Sequence, residues 1–541
     1  MEKQNLTTKN TKATKARLSV LLKSKLRVLR VLRGSSLNHV LACALIIGAA
    51  ARADEIDVLN KAIEDYNDGK NQRAAQGFYK IEETSTVADN RFKAEYYLAQ
   101  ALSKLGFGFS SFFYYGQIIK AGPSHPYYFK SVEGATRVTD EYRDEVLGPN
   151  VLNKAYNPEF AKLGPEVLSK INYYISLLGY RAGRYTEAEQ FLQGVPPESA
   201  AYAKAHYLHG LLEQRKNPEK AVAIFRDILG MNDPKYLDLK EAKELTHLAL
   251  GRTLYALGRF SEASVHYAQL PRFSRHWDEA LFEGAYSDLL NEDPGGALGK
   301  LHSLHSPHLS DEFAPESQTL AAIIYYQHCL HGQVREVVAR FDREYVPMRD
   351  AVKRLLEQNP PLEAYAQLVA PEAFAQGAAP LTVGPLPGAL KHHLAKNERI
   401  SSLLGYVERL DAEARRIKRD GDLMGGTLGQ DLLDLIGKQR ALVVQVAGKF
   451  LKGRLADVVR RLDELDGQKE IIAFETTKGE KEFLEQNVNV RSRLLAQRLH
   501  RPAMPAAGHE YWPFDGEYWP DEIGYYRYTL KNACSPKRKE D

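Results

Sequence analysis

LGRTLYALGRFSEASVHYAQL, residues Leu250 to Leu270, decides the fold of this 541-residue chain. Leu250 and Leu254 fall on one face of a helix, and Gly251 beside them leaves room for a second helix to approach. Gly258 and Arg259 supply a turn. Phe260, Ala263 and Tyr267 then lie on a second helix, with Ala263 and Tyr267 at helical spacing and Leu270 just beyond. Neither helix can bury its apolar face alone, so the pair predicts stacking on neighbours of the same kind. An array of that sort offers a binding surface before it offers a catalytic centre.

The small alanine after the turn recurs as Ala188 in GRYTEAEQFL, Ala221 in NPEKAVAIF and Ala263 in GRFSEASVHY, at separations of 33 and 42 residues. The pattern resembles the tetratricopeptide (TPR) repeat, whose period is about 34 residues. The longer step fits one period plus about eight residues, placed in the connection MNDPKYLDLKEAKEL. Weaker copies surround Ala75 and Phe78, the run AEYYLAQALSKLGFGFSSFFYYGQII, Trp277 with Ala297, and Val337 with Phe341. They give about seven helix pairs between Asp54 and Asp350. The segment PSHPYYFK…KLGPE interrupts the period, as either a divergent helix pair or a loop. The resemblance implies an all-α superhelix of helix-turn-helix units whose first helices line a groove for a partner helix or peptide. On register, Tyr174, Tyr207, His247 and Arg252 line it.

The first 53 residues hold 11 Lys or Arg and one acid, Glu2, followed by an apolar run from Val40 and by Ala51-Arg52-Ala53. A basic region, a short apolar stretch and a small-x-small site describe a cleavable secretory signal, with cleavage after Ala53. The apolar run is too short to span a bilayer, which takes roughly 20 residues. A mitochondrial presequence is the competing reading. Val40-Leu41-Ala42-Cys43 looks like a lipoprotein box, but Arg27, Arg30 and Arg33 occupy the stretch that such a signal needs apolar. The whole chain carries +4, and removal of this segment leaves about −6. The basic balance therefore belongs to the leader and gives no support to nucleic-acid binding. Cys329 and Cys534 remain, either pairing in an oxidising periplasm or staying as separate thiols.

Near Pro360-Pro361 the helical pattern fails, and Pro371, Pro380, Pro385 and Pro387 with Gly377, Gly384 and Gly388 predict a linker over 351–389. Ile400, Leu403, Val407, Leu410, Ala414 and Ile417 then alternate by three and four, the spacing of a coiled-coil seam. Glycines at 421 and 425–426 supply a turn. Leu455, Val458, Leu462, Leu465 and Ile472, with Phe483 in phase, predict a return helix, both runs being too short for a long rod. The expected module over 390–500 is an antiparallel helical hairpin, or alternatively a compact bundle capping the repeats. A tail over 501–541 duplicates Glu510-Tyr511-Trp512-Pro513 as Glu517-Tyr518-Trp519-Pro520. Tyr511, Trp512, Tyr518 and Trp519 are candidate binding anchors, for glycan or peptide. The bland reading is a strap that packs on the protein's own helices. The tail resembles the ends of secreted TPR proteins of myxobacteria and related Gram-negative bacteria, a resemblance that supplies no activity.

Catalytic motifs are absent from the sequence: there is no Gly-x-Gly-x-x-Gly, phosphate-binding Gly-Lys-Ser/Thr loop, His-Glu-x-x-His or Gly-x-Ser-x-Gly. His302, His305 and His308 are spaced by three, but Ser306-Pro307 ends that helix before the third. His392 and His393 are adjacent and point apart. Asp515, Glu517, Asp521 and Glu522 offer carboxylate pairs without a cleft-forming domain around them. The expectation is a non-catalytic, periplasmic or secreted scaffold that binds a protein partner in the cell envelope, with no cofactor, metal, nucleic acid or stable transmembrane segment. The rival expectation is a carbohydrate or peptidoglycan binder that uses the tail. In a third, structural reading, tail and hairpin merely cap the repeats.

Overall fold

The structure, a computed structural model, describes residues 55–370, 384–486 and 516–534. The proposed leader, the linker prolines 371 and 380, and Tyr511, Trp512 and Asp515 lie outside them. Among the described residues every regular element is helical. The chain divides into two compact units, Met1–Ala101 and Leu102–Asp541.

In the first unit α1 (55–67) and α2 (Asn71–Thr84) flank a turn at Gly69, and α3 (Ala88–Lys104) runs past the boundary. Ala74, Ala75, Phe78 and Ile81 form the buried face of α2. The Phe78 ring stacks on Tyr97 with centroids 5.6 Å apart. The weak copy around Ala75 is therefore a helix pair.

The second unit begins with the end of α3. The interrupting segment is helical: α4 (Gly108–Ala121) packs on α5 (Tyr128–Glu141), and α6 (Gly148–Ala155) and a 3-10 turn at Pro158–Lys162 follow. Regular pairs come next: α7 (Pro165–Arg181) with α8 (Tyr185–Leu192), and α9 (Tyr202–Gln214) with α10 (Pro218–Gly230). They continue with α11 (Leu239–Ala256) and α12 (Phe260–Ala268), then α13 (Trp277–Leu290) and α14 (Pro294–Leu304). The last pair is α15 (Pro315–Gln327) with α16 (His331–Gln358). The decisive stretch is α11 and α12, as read. Leu250, Leu254, Ala263 and Tyr267 are buried, and a Cβ on Gly251 would lie 2.6 Å from the Tyr267 ring. Only glycine admits that approach, so residue 251 sets how close the two helices come. First helices α7, α9, α11, α13 and α15 neighbour one another in order and form one continuous face.

α16 continues beyond the length of a repeat helix, and α17 (Leu362–Val369) follows Pro360-Pro361. After residue 384 come α18 (Gly388–Lys396) and α19 (Glu398–Arg419). The short α20 (Gly421–Met424) and α21 (Thr427–Gln486) complete the module. The hairpin is present, with its turn at the expected glycines, but its second arm is a single helix of 60 residues. That corrects the expectation of two short runs. Residues 427–486 contain no proline, and six glycines inside a helix weaken it without removing a hydrogen bond. The arm that faces α19 is the first half of α21, where Arg440 pairs with Asp411 at 2.7 Å. The Leu455–Ile472 run packs elsewhere, along α16: Asp466 meets Arg349 at 2.6 Å and Asp463 meets Lys353 at 2.8 Å. No described helix is long and apolar enough to cross a membrane.

Candidate functional site

Of the four residues placed in the groove by register, only Arg252 bridges neighbouring first helices. Its guanidinium donates to both Glu283 oxygens at 2.9–3.0 Å and to Glu279 at 2.8 Å, across from α11 to α13. With Tyr255, Tyr267, Glu283 and Tyr286 it lines a pocket of about 240 Å³. Burial works against ionisation of Glu279, but His276, with its Nδ1 3.7 Å away, and Arg252 prevail and hold its carboxyl at about 2. Tyr174 is buried, and its hydroxyl donates to Asp140 on α5. Tyr207 turns toward Phe225 on α10, with centroids 6.0 Å apart. His247 faces His266 on α12, Nδ1 to Nδ1 at 3.2 Å. These three side chains therefore knit helices together within the array.

The described part of the tail is a strap laid over α13 to α15. Gly524 N–H donates to Ser303 Oγ at 2.8 Å, Tyr528 N–H to the Gly295 carbonyl at 3.0 Å, and Ala533 N–H to the His328 carbonyl at 3.0 Å. Ile523 is fully buried among the repeat side chains. A Cβ on Gly299 would lie 1.7 Å from the Tyr526 carbonyl oxygen, so α14 presents a glycine face against which backbone can lie. Cys534 is joined to Cys329, a sequence separation of 205. Cys329 occupies the turn position held by Gly183 and Gly258 in earlier pairs, and like them it has positive φ, +55°. A side chain there costs about 1–2 kcal/mol. The turn tolerates that strain where the cysteine ties down the strap. Tyr518 stacks on His302 with centroids 5.0 Å apart, while Trp519 stays 53% exposed.

Repeats and hairpin module meet at a cleft of about 580 Å³. Phe273, Arg275, Trp277 and Asp278 come from the entry to α13, His308 and Glu312 from the connection after α14, and His392 and Lys396 from α18. Lys396 Nζ donates to Asp278 Oδ1 at 3.1 Å and to Glu312 Oε1 at 2.6 Å. His392 Nε2 lies 3.5 Å from the same Glu312 oxygen. Burial pushes the Glu312 carboxyl above its usual range; Lys396 opposes that and Asp278 adds to it. The strap borders the site, with its Tyr518 carbonyl 3.2 Å from His308 Nε2 and its Pro520 and Asp521 carbonyls accepting from Arg272. Sequence reading missed this cleft because Lys396 lies 84 positions from Glu312 and 118 from Asp278. The one local signal was the dense mixture of aromatic and charged residues in Arg272-Phe273-Ser274-Arg275-His276-Trp277-Asp278.

The spaced histidines diverge, since α14 ends at Leu304. His302 sits among Tyr518, Tyr526 and Tyr528, and His305 lies 2.7 Å from Ser317 Oγ. Among the described residues no group of three or more His, Cys, Asp or Glu is arranged to hold a metal ion. Glu517 and Asp521 are exposed and Glu522 lies beside Tyr526. No family model and no curated protein matches the chain. Among solved structures it is similar to a monomeric mutant of IFIT1 with Gppp-AAAA, at 15% identity and a TM-score of 0.21, over 74% of this chain and 80% of that one.

Proposed function

We propose that this protein is a non-catalytic binding scaffold of the periplasm or cell envelope that holds a protein partner at the cleft between α13 and α18. The observation that carries this reading is the cleft itself, an open space with an aromatic wall and charges of both signs, built by three segments far apart in sequence. Its size falls in the usual range of ligand sites, and mixed aromatic and charged lining is the chemistry of protein recognition. Export is supported by the basic, acid-poor start with its Ala51-Arg52-Ala53 site and by a disulfide of the kind that persists in oxidising compartments. A photoreactive residue at position 273, in the full chain in native cells, should give discrete protein adducts. The same residue at the exposed position 265, on α12 and away from the cleft lining, should not.

One observation favours glycan binding instead: Trp519 and Tyr525 of the strap expose 53% and 69% of their surface. Pulldown on purified cell wall separates the two readings. Retention that Trp519→Ala abolishes supports the glycan reading, and no retention removes it.

A further inference from the structure

Lys396 ends α18, and its side chain is 22% exposed, while the two carboxylates it bridges, Asp278 and Glu312, are 16% and 11% exposed. Both acids belong to the repeat array, whereas the ammonium belongs to the module that follows it. α18 packs its own backbone against α17 and α19, burying Leu390 and Leu394. Its hold on α13 is made through side chains: the Lys396 ammonium, and the Arg275 guanidinium donating to the Lys396 carbonyl. Beside that polar join the cleft stays open. A packed helix interface closes to crystal-like density, so a gapped, charge-held join is one that a competitor can enter.

The cleft's wall points the same way. Phe273 stands in the left-handed region at φ +60° with its ring 5.0 Å from Trp277 and half its surface exposed. A bulky residue in that conformation carries a cost of about 1–3 kcal/mol, of the kind that collects at binding sites. The ring held at the mouth is suited to the aliphatic stem and charge of a lysine. Ser274, also lining the cleft, has a buried hydroxyl with no hydrogen-bond partner among the described residues.

We infer that Asp278, Glu312 and the Phe273–Trp277 wall form a lysine-recognition subsite for a partner's peptide segment, which Lys396 fills in cis until the partner's lysine replaces it. The inference rests on the scaffold reading and names the chemistry of its partner. The occupant is identified by the one already seated there: a lysine ammonium between two shielded carboxylates, with apolar residues alongside. Self-occupancy lowers the apparent affinity for a partner by the fraction of time the site is filled.

The probe is a fluorescent peptide copying residues 388–397, GALKHHLAKN, titrated into the full chain by anisotropy. Lys396→Ala is expected to bind it at least about tenfold more tightly than the natural chain. Lys396→Met, which keeps the apolar stem, should behave alike, and Lys396→Arg should stay near the natural value. Adding Asp278→Asn and Glu312→Gln should abolish binding, as should a neutral residue in place of the peptide's last lysine. Equal affinity for the natural chain and both opened variants overturns the inference, as does binding that survives the paired carboxamides. If the peptide fails while adducts at position 273 persist, the lysine subsite is refuted and the scaffold stands; loss of the adducts refutes the scaffold itself.

Discussion

At the scale of single residues, Gly299 gives the sharpest prediction. On a free helix face Gly→Ala stabilises by up to about 1 kcal/mol. Here the new methyl group would strike the Tyr526 carbonyl, so Gly299→Ala should reverse that sign and lift the strap, at a cost of about 1–3 kcal/mol. Amide exchange at Gly524 and Tyr528 would accelerate in the variant, while unchanged exchange would contradict the backbone contact. Titration offers a second test. Burial pushes His305 down to about 4, with Arg340 and His302 adding to the effect. Between its ordinary value and about 4 the unfolded chain takes up a proton that the folded chain refuses. Stability should therefore fall as pH drops through that window, by up to about 3 kcal/mol. Glu279, held at about 2, is still ionised there and adds its own loss only as pH falls from its ordinary range toward 2. Urea unfolding at pH 7 and pH 4.5 should show a smaller difference in His305→Gln than in the natural chain.

At the scale of elements, the strap depends on its disulfide. Closing so long a loop is typically worth about 2–4 kcal/mol. Because the strap rests on the surface of the repeats, its release is a local opening. Cys534→Ser should raise exchange and protease cleavage within 516–534 and leave α11 and α12 protected. Global unfolding on reduction would contradict this. The elements differ in how much of them the sequence revealed. The α11–α12 pair was legible because Gly251, Gly258, Ala263 and Tyr267 each have a local steric reason to be where they are. The hairpin turn was legible from its glycines. The length of α21 was not, because its glycines suggest breaks that the helix does not make, and the partners of Leu455–Ile472 lie on α16, more than a hundred residues earlier. The choice between free thiols and a disulfide was equally closed to sequence, since it depends on where the strap crosses the last repeat.

At the scale of the whole molecule, stacked pairs in the second unit make one continuous first-helix face over α7 to α15, and α21 returns to α15. Register placed Arg252 on a first helix, from which it pairs with Glu279 and Glu283 on the next. It could not show that Tyr174, Tyr207 and His247 spend their side chains on neighbouring helices, nor that Asp278, Glu312 and Lys396 converge. Both are tertiary facts with no sequence period. The central claim is that the cleft between α13 and α18 is where this scaffold holds its partner. Its most direct test is photocrosslinking in native cells from position 273, with position 265 as the control. The account predicts discrete protein adducts at 273 alone; identical patterns at both positions, or adducts at 273 that disappear on digestion of glycan, would contradict it.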